Sequence, residues 1–272
     1  MVPYAIIFDL EDSIRDEYKE SARELLRSVF TEYSDTCGDL FRCWVRINDR
    51  SSEFFSDDLK WLHSFDTRHF GVKIPKCSGR EDIIALEHLH SDSTPIIPTI
   101  EALKGYENRD IIMESAQQTG IKNIGFGAGD MTLELDIERD YTLPILQHII
   151  CELVIASKRH GLDLIDSTSR VLPKSGSGWQ ALIEEEVAFS CANGFSGKKA
   201  IHPEQVPVIE RVFSSRHERD VVRAREVMDD IDSQSKTRAI RSSKTGNYVG
   251  NPSIKHATRV LETSDDSDDE TS

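Results

Sequence analysis

Residues 5–14 read AIIFDLEDSI, an apolar run that ends in three carboxylates, Asp9, Glu11 and Asp12. Ile6, Ile7 and Phe8 suit a strand. Acids packed so closely repel, so a fold tolerates them in water or beside a cation or an arginine. The same design recurs along the chain. CWVRIN (43–48) carries Arg46, FGVKIPK (70–76) carries Lys73 and Lys76, and PIIPTIE (95–101) ends at Glu101. NIGFGAGD (123–130) ends at Asp130, LDLIDS (162–167) reaches Asp166, and GKKAIHP (197–203) presents His202.

Between these seven short runs lie stretches of helical period: 16–30, 82–89, 103–118, 144–160 and 179–193. Strands separated by single helices predict right-handed βαβ units and a parallel sheet. The nearly continuous apolarity of the strands predicts that both sheet faces are covered. Repetition over some two hundred residues suits a (β/α)8 TIM barrel, and a doubly wound sheet shares the pattern. The expected fold is an α/β TIM barrel over residues 1–215. With seven strands in place of eight, either one strand lies unrecognised in loop-like sequence or the barrel is N-terminally incomplete, lacking its first strand. A C-terminal helical extension is expected over 216–262. The acidic, serine-rich segment 263–272 reads as a disordered tail.

Composition narrows the function. The chain has 272 residues, 38% hydrophobic and 30% charged, with a net charge of −15. That acidity argues against nucleic acid or an anionic membrane surface as a partner. Cys37, Cys43, Cys77, Cys151 and Cys191 are odd in number and form no CxxC pair, so free thiols in a reducing compartment are expected. No basic, apolar leader opens the sequence and no apolar run reaches a membrane-spanning length. A soluble, cytoplasmic protein is expected, with room for a targeting segment lost upstream.

In a parallel barrel the carboxyl ends of the strands meet at one face, which holds the active site. Seven strands ending in polar residues therefore point to one shared site. Glu101 and Asp130, with no cysteine or histidine cluster nearby, would form a hard oxygen site suited to Mg2+ or Mn2+, or else a structural pair. The glycines of GFGAGD serve either a tight turn or the approach of backbone to a ligand. Arg46 is expected to pair with Asp9, Glu11 or Asp12, to grip a substrate carboxylate or an enolate oxygen, or to do both. Lys73 and Lys76 read as solvated strand ends or as anion attractors, and His202 as a base or a hydrogen-bonded turn residue. His63, His69, His88 and His90 read as surface.

FDLEDSI, KESAR, VRIN, GVKIPK, PTIEALKG, GFGAGD, LIDS and GFSGKKAIHPEQV occur in the order found in the citrate lyase beta-subunit family, the acyl-CoA lyase branch of the HpcH/HpaI aldolases. The chain resembles that family over residues 4–215. The resemblance implies a Mg2+-dependent carbon–carbon lyase. It would cleave or form a citryl-, malyl- or citramalyl-like thioester of CoA or a carrier protein, releasing an oxo acid and an acyl thioester. A homo-oligomer, trimer or hexamer, is implied as well. Glu101 and Asp130 match the metal ligands, and Arg46 the arginine that contacts substrate. Gly129, Ile201 and His202, with Glu101, Asp130 and Arg46, match positions lining the substrate site. Glu11 and Asp12 match the acids of the catalytic mouth, Asp12 standing where sister aldolases carry a histidine base. Two departures stand out: the usual first strand with its CoA-holding lysines is absent, and Gly250 and Asn251 occupy the place of a C-terminal acid. A catalytically impaired barrel acting as a binding or assembly subunit is the alternative expectation.

Overall fold

The computed structural model describes residues 5–34, 43–64, 70–87, 89, 94–173, 178–233 and 240–269. The chain divides into two compact units, Met1–Pro207 and Val208–Ser272.

The first unit is an α/β fold built on a curled parallel sheet. Its strands are β1 (Ile6–Asp9), β2 (Cys43–Arg46), β3 (Gly71–Ile74), β4 (Ile96–Ile100), β5 (Asn123–Phe126), β6 (Asp163–Asp166) and β7 (Gly197–Lys198). They lie side by side in chain order. All seven fall within the predicted stretches. The helices are α1 (Lys19–Ser34), α2 (Phe55–His63), α3 (Arg80–Ile84), α4 (Leu103–Glu107), α5 (Arg109–Gln118), α6 (Ala128–Glu134), α7 (Pro144–Arg159) and α8 (Trp179–Ala192).

Among the described residues the sheet does not close: no eighth strand joins β7 to β1, so a half-barrel of seven strands is seen and the full (β/α)8 ring is not. The edge strand β1 consequently leaves Ile6 and Ile7 48% and 41% exposed, although apolar side chains there would be covered in a closed barrel.

Alternation assigns the two faces of the sheet. Phe8, Val45, Val72 and Ile124 belong to the hydrophobic core shared with the helices. Asp9, Arg46 and Lys73, which are registered side by side on β1, β2 and β3, therefore leave the sheet on the opposite, inner face.

Near the amino-terminal strands the core is aromatic. Phe30 of α1 stacks on Phe70 at 5.0 Å, meets Phe8 edge-on at 5.7 Å, and lies 6.2 Å from Trp61 of α2. Polar residues buried on this side are fully engaged. Arg23 bonds Asp58 at 2.8 Å, and the other Asp58 oxygen accepts from the Asn48 backbone and side chain, each at 2.7 Å.

The second unit holds the long helix α9 (Val206–Ser233), a hairpin of β8 (Ile240–Arg241) and β9 (Tyr248–Val249), and α10 (Asn251–Asp269). The extension is thus not purely helical. Gly246, at φ +70°, turns the hairpin, and Asp230 accepts hydrogen bonds from the Ser243 backbone and hydroxyl. The backbone of α10 also runs through Asp269, into the segment expected to lack structure. Adding residues to a helix that has already formed is cheap. Residues 270–272 lie outside the described residues.

Removing the ring at the centre of the aromatic cluster should open a cavity on the helix side. Phe30→Ala is expected to lower stability by about 3–5 kcal/mol, read as a shift in the urea unfolding midpoint.

Candidate active site

The site is assembled at the carboxyl ends of β1 to β5. Asp9 terminates β1 beside Arg46, the last residue of β2. Its Oδ1 accepts from Arg46 Nε at 2.7 Å and its Oδ2 from Arg46 Nη2 at 2.5 Å, a two-point fork. Oδ1 also accepts from the Glu11 backbone at 3.0 Å, and Oδ2 from the Ser13 hydroxyl. Burial pushes the Asp9 carboxyl up, but Arg46 and these hydrogen bonds outweigh it and hold the group at about 2.

Glu11 is 3% exposed and lies between two cations, 2.7 Å from Arg46 Nη1 and 2.7 Å from Lys76 Nζ. Burial pushes its carboxyl up against their pull, while both cations are held in their charged forms. Asp12 reaches Lys76 Nζ at 3.2 Å from the exposed side. The three acids of the opening stretch thus share two cations, and Arg46 keeps two N–H bonds for other partners.

Lys76 has φ +45°, a conformation few side chains adopt. The strained turn aims its backbone N–H at Glu101 Oε1, 2.8 Å away, while its ammonium faces Glu11 and Asp12. Glu101, at the end of β4, is buried. A Cβ at Gly127 would collide with the Glu101 side chain, so the glycine after β5 makes room for this carboxylate.

Asp130, half-buried in the first turn of α6, makes no hydrogen bond or ion pair among the described residues. Burial and then the charge of Glu101 push its carboxyl up, with Lys76 and Arg46 opposing. Two carboxylates that repel, one of them unpartnered, make a place that a cation would relieve. Glu101 Oε2 likewise accepts no hydrogen bond among the described residues. The donors are all oxygens, and no set of three or more His, Cys, Asp or Glu groups suited to a metal occurs among the described residues. Two carboxylates with the remaining positions left to water or substrate is a set that Mg2+ accepts, so the residues fit that ion.

The other predicted members have different surroundings. Asp166 faces the helices and not the mouth. It is fully buried against Lys198 Nζ at 2.7 Å and the Ser190 hydroxyl at 2.6 Å, because strand alternation turns it outward. Its neighbour Ser167 faces inward and holds the GFGAGD turn, donating to the Phe126 carbonyl at 3.1 Å and accepting from the Ala128 N–H. His202 caps a short turn, its Nδ1 accepting from the Glu204 backbone at 3.2 Å. The backbone N–H groups of Ile201 and His202 are both taken by Gln205 Oε1, and the Ile201 side chain is exposed. Gly129 is exposed, and a Cβ there would meet nothing. Lys73 is 5% exposed, which rules out a solvated strand end. His63 is exposed on α2; His69, His88 and His90 lie outside the described residues.

One contributor was not anticipated. Lys19 of α1 is buried and donates to the Leu10 carbonyl at 2.8 Å, the Glu11 carbonyl at 2.9 Å and Asn48 Oδ1 at 2.7 Å. It fixes the backbone of the acid loop. Its sequence signals are its place at the head of the KESAR stretch (19–23) and a lysine facing a helical interior.

Strand-end acids, a forked arginine and a carboxylate pair with oxygen-only donors describe a metal-assisted aldolase or lyase site. Residues 2–203 match the HpcH/HpaI aldolase/citrate lyase family, and the chain belongs to it. It is 31% identical to a (3S)-malyl-CoA thioesterase of Cereibacter sphaeroides over 210 residues, 77% of this chain and 69% of that protein. It is 25% identical to the citrate lyase subunit beta of Haemophilus influenzae, covering 96% of this chain and 88% of that one. Among solved structures, its fold is similar to that of CitE from Mycobacterium tuberculosis in complex with magnesium, acetoacetate and coenzyme A. The TM-score there is 0.73 at 24% identity, over 95% of this chain and 88% of that one.

The Asp9–Arg46 pair has a definite pH signature. A carboxyl held at about 2 when folded, against 3.8 when free, adds stability that is complete above the free value and is lost as the pH falls toward 2. Asp9→Asn should be less stable near neutrality and lose less stability between about pH 4 and 2. Urea unfolding across that range measures both, and parallel curves for the two proteins would refute the assignment.

Proposed function

We propose that this chain is a Mg2+-dependent carbon–carbon lyase of the citrate lyase beta-subunit type, acting on a citryl-, malyl- or citramalyl-like thioester. The observation that carries the reading is the pair Glu101 and Asp130, repelling each other at the end of neighbouring elements beside Arg46. The family membership and the thioester chemistry named for its relatives support it. Glu101 and Asp130 would hold the ion, which when bound supplies Lewis-acid polarisation of a substrate oxygen. Arg46, with two donors left after its ion pairs, faces the oxygen that becomes negative as the acyl thioester leaves as an enolate. Asp9 and Glu11 orient that arginine. Lys76 draws Glu11 and Asp12 together and holds Glu101 through its backbone.

Carried over from the family resemblance are the substrate-lining roles of Gly129, Ile201 and His202, a (β/α)8 lineage for the half-barrel, and assembly as a homo-oligomer. The thiols of Cys77 and Cys151 are free, which suits a reducing cytoplasm. No helix among the described residues is long and apolar enough to cross a membrane.

The thioesterase relative at 31% identity favours a second reading of the same site, hydrolysis of the thioester. Product analysis with glyoxylate, pyruvate or oxaloacetate plus acetyl-CoA separates condensation and cleavage from hydrolysis. Glu101→Ala and Asp130→Ala should each lower activity by about 10²–10³ and abolish Mg2+ binding by calorimetry. Unchanged Mg2+ binding and activity in both variants would end the lyase assignment.

A further inference from the structure

Three polar groups on the inner wall have no role in the chemistry above. Lys73 lies in register with Arg46, so both side chains leave the sheet on its inner face. It is 95% buried by area, being 5% exposed, and makes no hydrogen bond or ion pair among the described residues. Lys199 directly follows β7. Lys198 turns outward to Asp166, so Lys199 turns inward, where its Nζ donates to the Phe126 carbonyl at 2.8 Å. Two of its three N–H bonds are left without a partner among the described residues.

The third group is Thr99 of β4, fully buried, whose Oγ1 has no hydrogen-bond partner. Its lateral neighbour is Gly125, where a Cβ would come within 2.7 Å of that hydroxyl. The glycine leaves the wall open beside Thr99.

Buried polar groups left unpaired are costly, and two buried ammonium groups that repel are costlier still. Lys73 is near enough to Lys199 to disfavour its charge, and burial with that repulsion brings Lys199 down to about 7. Glu101, Asp166 and Arg46 are the other charged groups acting on Lys199. Glu101 also acts on Lys73, but neither lysine is bonded to it, and its Oε1 is held by the Lys76 backbone. Glu11 and Asp9 also favour charge on Lys73 and Arg46 opposes it, yet among the described residues none of these acids is hydrogen-bonded to either lysine, so donors on the wall are left without an acceptor.

We infer that Lys73, Lys199 and Thr99 form an anion pocket that receives a second carboxylate of the substrate, beyond the one bound at Glu101 and Asp130. This rests on the lyase reading and narrows it: the oxo-acid half is dicarboxylic. A carboxylate suits the pocket, because its two oxygens can accept from both ammonium groups and the Thr99 hydroxyl.

The probes are malate and lactate, stable hydroxy acids that differ by that carboxylate, titrated calorimetrically into the full chain with saturating Mg2+. Malate should bind about tenfold or more tightly than lactate. Lys73→Met and Lys199→Met should remove the preference while leaving Mg2+ and lactate binding unchanged. Near pH 7.5, malate binding should take up protons in the parent protein and not in Lys199→Met, shown by the dependence of the heat on buffer ionisation. Thr99→Val guards against variants that fail to fold. It should be at least as stable as the parent yet weaken malate, whereas a purely structural threonine would leave malate binding unchanged. Equal binding of malate and lactate, or tighter binding of inorganic phosphate than of malate, would overturn the pocket while Mg2+ binding leaves the lyase reading standing. Absence of Mg2+ binding would overturn both.

Discussion

The mouth of this protein depends on the contact between Arg46 and the two carboxylates, Asp9 and Glu11, that close on it. Parallel pairing of β1 and β2 sets Asp9 and Arg46 side by side before any side chain chooses a rotamer. Glu11, two residues on, folds back because Arg46 and Lys76 both need its charge. Partly buried ion pairs contribute little net stability, since desolvation consumes most of the Coulombic gain. Breaking one is far worse, because a charge is then stranded. Such an arrangement fixes position more than it stabilises the fold, which suits an arginine that must meet developing charge at a set place.

The two faces of the sheet treat polar groups differently. On the helix side most of those against the strands are satisfied: Asp166 with Lys198 and Ser190, Asp58 with Arg23 and Asn48, Lys19 with three acceptors, while Arg109 Nε and Glu186 Oε2, out on the helices, lack a hydrogen-bond partner among the described residues. On the inner side several are not, among them Asp130, Lys73 and Thr99 Oγ1. Strain collects there too, at Lys76 with its positive φ. A fold leaves buried polar groups unmet and backbone strained only where something else gains from it. That contrast separates the functional wall from the structural one.

Much of this was legible in the sequence. All seven strands fall where short apolar runs ended in polar residues, and Glu101, Asp130, Arg46 and the acids of the opening stretch do gather at one end of the sheet. What failed did so for one reason. The residue that ends a strand can face either way, and period-two alternation cannot be phased from a four-residue strand with both faces buried. Asp166 was therefore placed in the mouth although Ser167 is the inward residue. Lys73 read as a solvated strand end or an anion attractor, and register with Arg46 carries it inward, which leaves only the second. Lys19 went unseen because three backbone and amide acceptors make a buried ammonium tolerable only once the loop is folded. The hairpin of the second unit has two-residue strands, too short for a pattern.

The open edge has a consequence for the mouth. Among the described residues β1 is paired on one side only, with apolar side chains exposed along it, yet it delivers the acids on which Arg46 relies. A closed ring would hold Asp9 from two sides. Here the work falls to cross-links beyond the strand: the Arg46 fork, the Lys19 ammonium beneath the acid loop and the Lys76 bridge to Glu11. These links share partners, so fraying of β1 would release Arg46, Glu11 and Lys76 together. Lys76 is also the backbone donor to Glu101, so the disturbance would reach the carboxylate pair. Strand pairing at the edge and the geometry of the carboxylate pair are therefore coupled through a single strained lysine.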